Sequence, residues 1–289
     1  MKQQRTVPPP IASGIRAAHE RISPHYGLTD LDGIIPSPSY QHWNMDRRAL
    51  RPMHHFASRL PSGADAIFLD AGCGNGQFSQ IYLAWGVPSV LGADFATGML
   101  ETALERSVRN GYEARFDALQ TELGKLALRD DCIHGAHLFG VIEHLDDPRG
   151  VLAELVRVLV PGGLLLFSVP RRWSIPFFDY LFFGQSPLQW GSRPIWRDYL
   201  RFRGKLRYYR FFSRRAVDDL LAGIPNAEVV ERQGFAFFHV QGFPFAPLHW
   251  LAGRRGGYRL LDSLDTLFRV IWPWPGAEYL VLRKVGPLS

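Results

Sequence analysis

The sequence predicts an α/β fold built on a doubly wound, mostly parallel seven-stranded sheet with helices on both faces, for three reasons. Seven short apolar runs recur along the chain, most of them separated by a stretch long enough for one helix. Those runs are nearly continuous rather than alternating, as strands covered on both faces require. With 289 residues, 46% of them apolar, the chain can bury a large core.

Residues 1–36 are rich in Pro, Gly, Ser and Thr without a sustained period, and residues 1–45 are expected to form an N-terminal arm or lid. The core is expected over 46–170. It opens with a helical pattern from Asp46 to Leu60, stopped by Pro61-Ser62-Gly63. Ala66-Ile67-Phe68-Leu69 reads as the first strand, followed by a glycine loop, a helix from Gln77 to Trp85 and a second strand, Ser89 to Ala93. A helix follows near Gly98 to Arg109, then strands near Glu113 to Phe116 and Cys132 to Phe139. A helix near Arg149 to Leu159 leads to Pro161-Gly162-Gly163 and a strand from Leu164 to Val169.

After Pro170 the regularity is lost, and residues 171–212 read as a cap insertion of interleaved Trp, Phe, Arg and Pro. Residues 213–289 resume the core with a helix near Ser213 to Leu221, a strand near Glu228 to Arg232 and a last strand, Tyr279 to Leu282. Between those strands, 235–275 reads as a second irregular insertion. Two aromatic and basic insertions near the C-terminal end of the sheet would roof the crevice where open α/β sheets bind ligands.

The net charge of +6 belongs to the C-terminal part: residues 171–289 hold 18 Lys/Arg against 9 Asp/Glu, and residues 1–170 hold 15 against 18. Six of the eight tryptophans and 13 of the 20 phenylalanines lie in that same part, which suits an anionic molecule or a membrane surface. No run of about 18 apolar residues marks a transmembrane segment, and Met1 to Pro10 lacks the apolar stretch of a secretory signal, so a cytoplasmic protein is expected. Cys73 and Cys132 fall in a buried loop and a buried strand, which predicts neither disulfides nor a thiolate metal site. The histidines, among them His42, His54, His55, His137, His239 and His249, show no ligand spacing, and no metal is expected.

The strongest motif is Asp70-Ala71-Gly72-Cys73-Gly74-Asn75-Gly76, an acid at a strand end followed by alternating glycines at the mouth of a helix. Glycines there let backbone approach a ligand closely. A dinucleotide fingerprint would place its third glycine at position 77, which is Gln77. Asp70 would also repel a pyrophosphate, whereas it suits a cationic amino group and a sulfonium. At the end of the second strand Asp94 can accept hydrogen bonds from both hydroxyls of a ribose. Asp117 is expected to follow the third strand and face an adenine amino group, with Phe95 covering the ring.

These residues resemble the class I, Rossmann-like S-adenosylmethionine-dependent methyltransferases, particularly their small-molecule branch. The likeness lies in Asp70 to Gly76, in Leu91-Gly92-Ala93-Asp94 followed by Met99-Leu100, and in Asp117-Ala118. It continues through Gly140-Val141-Ile142-Glu143-His144-Leu145 and through Glu154 to Gly163, covering roughly residues 64–170. It implies S-adenosylmethionine as cofactor, S-adenosylhomocysteine as product, and a cofactor site of Asp70, Gly72, Gly74, Gly76, Asp94, Phe95, Asp117, Ala118 and Phe139. One departure is His134, where the family usually opens the fourth strand with a structural aspartate.

The reaction so implied is in-line transfer of the sulfonium methyl to an O, N or C nucleophile of a small apolar, aromatic or isoprenoid-like acceptor of natural-product type. His144 is the candidate general base for a hydroxyl acceptor. Alternatives are a membrane-peripheral quinone or lipid methyltransferase touching bilayers through 173–212, with Trp173, Phe177, Phe178, Phe182 and Phe183, or a non-methylating member of the same fold. An RNA-binding or RNA-methylating protein is the least favoured partner class, since no Asp-Pro-Pro-Tyr-type motif or RNA-binding domain is visible. Arg171, Arg172, Arg193, Arg197, Arg201, Arg203 and Arg207 could hold an acid group on the acceptor.

Overall fold

Apolar β-branched and aliphatic runs pair into one sheet of seven strands. In the computed structural model the described residues are 49–61, 63–174, 210–235, 257–272 and 274–286. In chain order they form α1 (Arg51–Ala57), β1 (Ile67–Ala71), α2 (Gln77–Ala84), β2 (Ser89–Asp94), α3 (Thr97–Arg109), β3 (Phe116–Gln120) and β4 (Ile133–Leu138). A 3₁₀ turn (Ile142–His144), α4 (Pro148–Val158), β5 (Leu159–Pro170), α5 (Arg214–Leu221), β6 (Ala227–Phe235), α6 (Gly257–Ile271) and β7 (Ala277–Lys284) complete them. The strand order is β3-β2-β1-β4-β5-β7-β6, and β7 runs antiparallel to both of its neighbours. The order reverses between β1 and β4, which opens a crevice at the carboxyl ends of those strands.

Helices cover both faces because each presents an apolar stripe at helical spacing. On one face Met53 and Phe56 of α1, Tyr82 and Leu83 of α2 and Ala103 of α3 pack on Phe68, Val90 and Tyr279. On the other, Leu152 and Leu155 of α4 and Val217 and Leu220 of α5 pack on Leu69, Ala136 and Leu165. Caps set the helix starts: the Asp147 carboxylate accepts from Gly150 N ahead of Pro148, and the Ser213 hydroxyl accepts from Ala216 N.

Three expectations from sequence are corrected. β3 begins at Phe116 and runs to Gln120, later than its expected span, since its register is set by pairing of Phe116 with Val90 and of Gln120 with Asp94. The stretch 235–275 is not irregular throughout: it contains the fifteen-residue helix α6, in which Leu261 is fully buried. Its apolar residues at 260, 261, 264, 267, 268 and 271 carry the helical period that the surrounding Gly and Pro residues obscured. Cys132 precedes β4 and is half-buried rather than inside a buried strand. In addition, β5 starts five residues before Leu164, and Val160 to Gly163 form a bulge across which pairing jumps from Ile133 with Leu159 to Gly135 with Leu164.

A clasp between α4 and the approach to β4 locks the middle of the sheet. Glu154 accepts from Leu126 N at 2.8 Å and from Arg157 through both carboxylate oxygens. Arg157 also donates to the carbonyls of Leu126 and Leu128 and to Asp130. The hydrogen bonds from Arg157 hold the Glu154 carboxyl below its ordinary range. Because the folded value is depressed, this stabilisation is complete above the unfolded carboxyl range and disappears as pH falls through the folded value. Glu154→Gln is expected to lower stability by about 1–2 kcal/mol at pH 7, with the gap from the unsubstituted protein closing below about pH 4 in denaturant unfolding.

Candidate active site

The chain leaves β1 at Asp70-Ala71 and turns through Gly72 to Gly76 into α2, with all three glycines at positive φ, 73°, 53° and 73°. The three have different reasons to lack a side chain. A Cβ on Gly72 would lie 2.5 Å from Val141 Cγ2, and one on Gly76 would lie 2.8 Å from the Cβ of Ala103, so these two let the loop pack on its neighbours. A Cβ on Gly74 would meet nothing within 4 Å. Gly74 is thus the glycine that faces open space at the crevice.

Two buried carboxylates hold this loop. Asp94, 6% exposed at the end of β2, accepts from Gly74 N through Oδ2 and from Ala96 N through Oδ1, both at 2.9 Å. Asp70, 2% exposed, accepts from the Ser79 hydroxyl at 2.6 Å. Their field is felt at Cys73 between them, whose thiol is pushed well up, first by burial and then by Asp70 and Asp94. The Tyr82 hydroxyl is raised by burial and then by Asp70. A loop with an open glycine and two inward carboxylates suits a cationic ligand carrying vicinal hydroxyls.

The other residues expected at the site divide. Phe95, half-buried, follows Asp94, and Phe139, half-buried, follows the last residue of β4. Phe139 lies 5.8 Å from the Phe78 ring and 5.5 Å from the His137 ring. His144, half-buried, sits in the turn after β4 with Glu143, whose carbonyl accepts from Arg210 N. Asp117 and Ala118 are not beyond the third strand: they pair with Leu91 and Gly92 inside β3, three and two positions short of its end. The first carboxylate past that end is Glu122, exposed, next to Thr121, whose N–H donates to Asp94 O. Placing the strand too early in sequence put Asp117 beyond an end that lies at Gln120.

Sequence reasoning passed over Asn75, Ser79 and His137. Asn75 Oδ1 accepts from Gln77 N at the start of α2, an Asx pattern that was readable in the sequence. His137 is brought directly opposite Asp70 by strand register, which no local pattern announces. His134 accepts from Ile67 N through Nδ1 and so joins β4 to the start of β1. The two ends of the 171–212 stretch meet at the end of β5, where Arg172 N donates to Phe212 O and Phe212 N to Pro170 O. Arg171 and Trp173 are described there, with Arg171 buried 3.6 Å from Glu278. Tyr40, His42, Trp43, Phe177, Phe178, Phe182, Phe183, Arg193, Arg197, Arg201, Arg203, Arg207, His239 and His249 lie outside the described residues.

Residues 69–167 match the methyltransferase domain family. The malonyl-[acyl-carrier protein] O-methyltransferase of Yersinia pestis is 33% identical over 206 residues, 70% of this chain and 69% of that one. The chain belongs to the class I S-adenosylmethionine-dependent methyltransferases. A trans-aconitate 2-methyltransferase of Acidovorax ebreus is 28% identical over 80% of this chain and 82% of its own. Among solved structures the [4+2]-cyclase SpnF aligns over 94% of this chain and 96% of its own with a TM-score of 0.58 at 17% identity, a likeness of fold. The methyltransferase is an enzyme of the small-molecule type, with S-adenosylmethionine as its cofactor. No helix among its described residues is long and apolar enough to cross a membrane.

The different surroundings of the glycines give a direct test in this methyltransferase. Gly74→Ala is expected to weaken S-adenosylmethionine binding by tenfold or more in calorimetry while the backbone strain costs only about 1 kcal/mol of stability. Gly76→Ala, which meets Ala103, is expected to lower the melting temperature as well. Asp94→Ala should weaken S-adenosylmethionine binding, and NAD⁺ should bind neither protein.

Proposed function

We propose that this methyltransferase places a methyl group on an oxygen of a small acceptor with an apolar body and an acid group. The observation that supports it most is the aromatic wall at the crevice. Phe139 at the end of β4 stacks on Phe235 at the end of β6, ring centres 6.5 Å apart, and Phe235 meets Tyr279 at 6.1 Å. Such a wall removes water from beside the reacting groups and receives apolar surface. Both relatives named above are called after acceptors that are acids. The basic surplus of the C-terminal part favours an anionic acceptor.

Bound S-adenosylmethionine supplies a sulfonium methyl ready for in-line displacement. The chain's own residues bind and orient. Asp94 takes the ribose hydroxyls from the end of β2, where it already accepts from Gly74 N and Ala96 N. Asp70 faces the cationic methionine end, and Gly74, with Gly72 and Gly76 shaping the turn, leaves room for close approach. Glu122, in place of Asp117 and Ala118, meets the adenine amino group, with Phe95 covering the ring and Phe139 closing the side toward the acceptor.

An ionised carboxylate acceptor needs no base, so alignment and exclusion of water carry its reaction. A hydroxyl acceptor would call on His144, which stands at the half-buried turn after β4. Labelled cofactor supplied with a panel of carboxylic acids and hydroxylated aromatics tests the choice. Carboxylate transfer yields a base-labile methyl ester, and His144→Gln is then expected to keep kcat within a few-fold. Label appearing only on hydroxyl acceptors, with His144→Gln losing about 10²-fold or more, would overturn the acid acceptor. Glu122→Ala is expected to raise the KM for S-adenosylmethionine, and Asp117→Ala to leave it unchanged.

A further inference from the structure

The crevice between β1 and β4 has a polar group beneath it that cofactor binding has not accounted for. His137 is fully buried in β4, paired in register with Asp70 of β1, and its Nδ1 lies 3.5 Å from Asp70 Oδ1. Neither ring nitrogen has a hydrogen-bond partner among the described residues. The ring is enclosed by Phe78, Tyr82 and Phe139, at centre distances of 5.6, 5.5 and 5.5 Å. A buried imidazole without partners is costly unless a nearby group accepts its hydrogen or shares its charge. Asp70 is the carboxylate in reach, and its other oxygen is already held by Ser79.

We propose that His137 is a positioning residue for cofactor binding, which orients the Asp70 carboxylate through Nδ1 so that it meets the cofactor's cationic methionine end. It rests on the assignment of Asp70 to that end. β1 contributes Asp70; α2 contributes the hydroxyls of Ser79 and Tyr82; the glycine loop contributes the Cys73 thiol; and β2 contributes Asp94 across the loop. Burial drives the Tyr82 and Cys73 groups upward, so both stay neutral.

Calorimetric titration with S-adenosylmethionine at pH 7.5 tests this in the whole protein, with melting temperatures recorded to verify folding. His137→Phe keeps ring volume and stacking but cannot donate, and its dissociation constant is expected to rise about tenfold. His137→Asn keeps a donor near the Nδ1 position and should restore affinity to within a few-fold of the unsubstituted enzyme. Unchanged affinity in the phenylalanine variant would overturn the proposal, as would a folded asparagine variant with the tenfold loss, and the asparagine variant answers alone if the phenylalanine variant fails to fold. Asp70→Asn should weaken binding. If it binds normally, the assignment of Asp70 itself is wrong, a failure distinct from full affinity in His137→Phe.

Discussion

Everything at the crevice hangs on one buried carboxylate clamping two turns of backbone. Asp94 accepts from Gly74 N on one side and from Ala96 N on the other, so the loop after β1 and the turn after β2 are held to a single point. Hydrogen bonds to a charged group are stronger than neutral ones, and removing the carboxylate would take the partner from two backbone donors, the one at Ala96 being buried. The backbone of the next strand joins in, because Thr121 N donates to Asp94 O and Gly72 N to Ala93 O. The loop is therefore shaped before any ligand arrives, which limits the ordering cost of binding.

The second constraint is topological. Reversal of strand order between β1 and β4 leaves their carboxyl ends without a crossing helix above them, and the parallel register then sets Asp70 beside His137. The remaining work is electrostatic. Burial, and then the negative charge of Asp70 and Asp94, raises the thiol of Cys73, and that charge favours a cationic ligand over a dinucleotide pyrophosphate. Aromatic rings from α2, β4 and β6 close the apolar side, so charge selection and water exclusion come from different elements of one fold.

Much of this was legible in the chain. The glycine loop, Asp94 and the alternation of strands and helices carry local patterns that need no partner to be recognised, and β1, β2, β4, α2, α3 and α4 fall within a few residues of their expected spans. The acid beyond β3 was not legible in the same way. Asp117 and Glu122 both stand in a stretch of mixed polar and apolar residues, and only pairing with β2 decides where the strand stops. Helix α6 was hidden for the opposite reason, its period being clear but set among Gly, Pro and Trp that signal loops.

The sequence by itself determined the architecture, the family and the kind of ligand, because hydrophobic period, turn chemistry and motif spacing are properties of short segments. Tertiary structure alone decided which glycine faces open space and which two merely permit packing, since that depends on Val141 and Ala103 arriving from distant elements. It also decided that a histidine with no motif of its own lies against Asp70. Register is set by burial of whole strand faces, and a one-residue slip would turn His137 to the other side of the sheet.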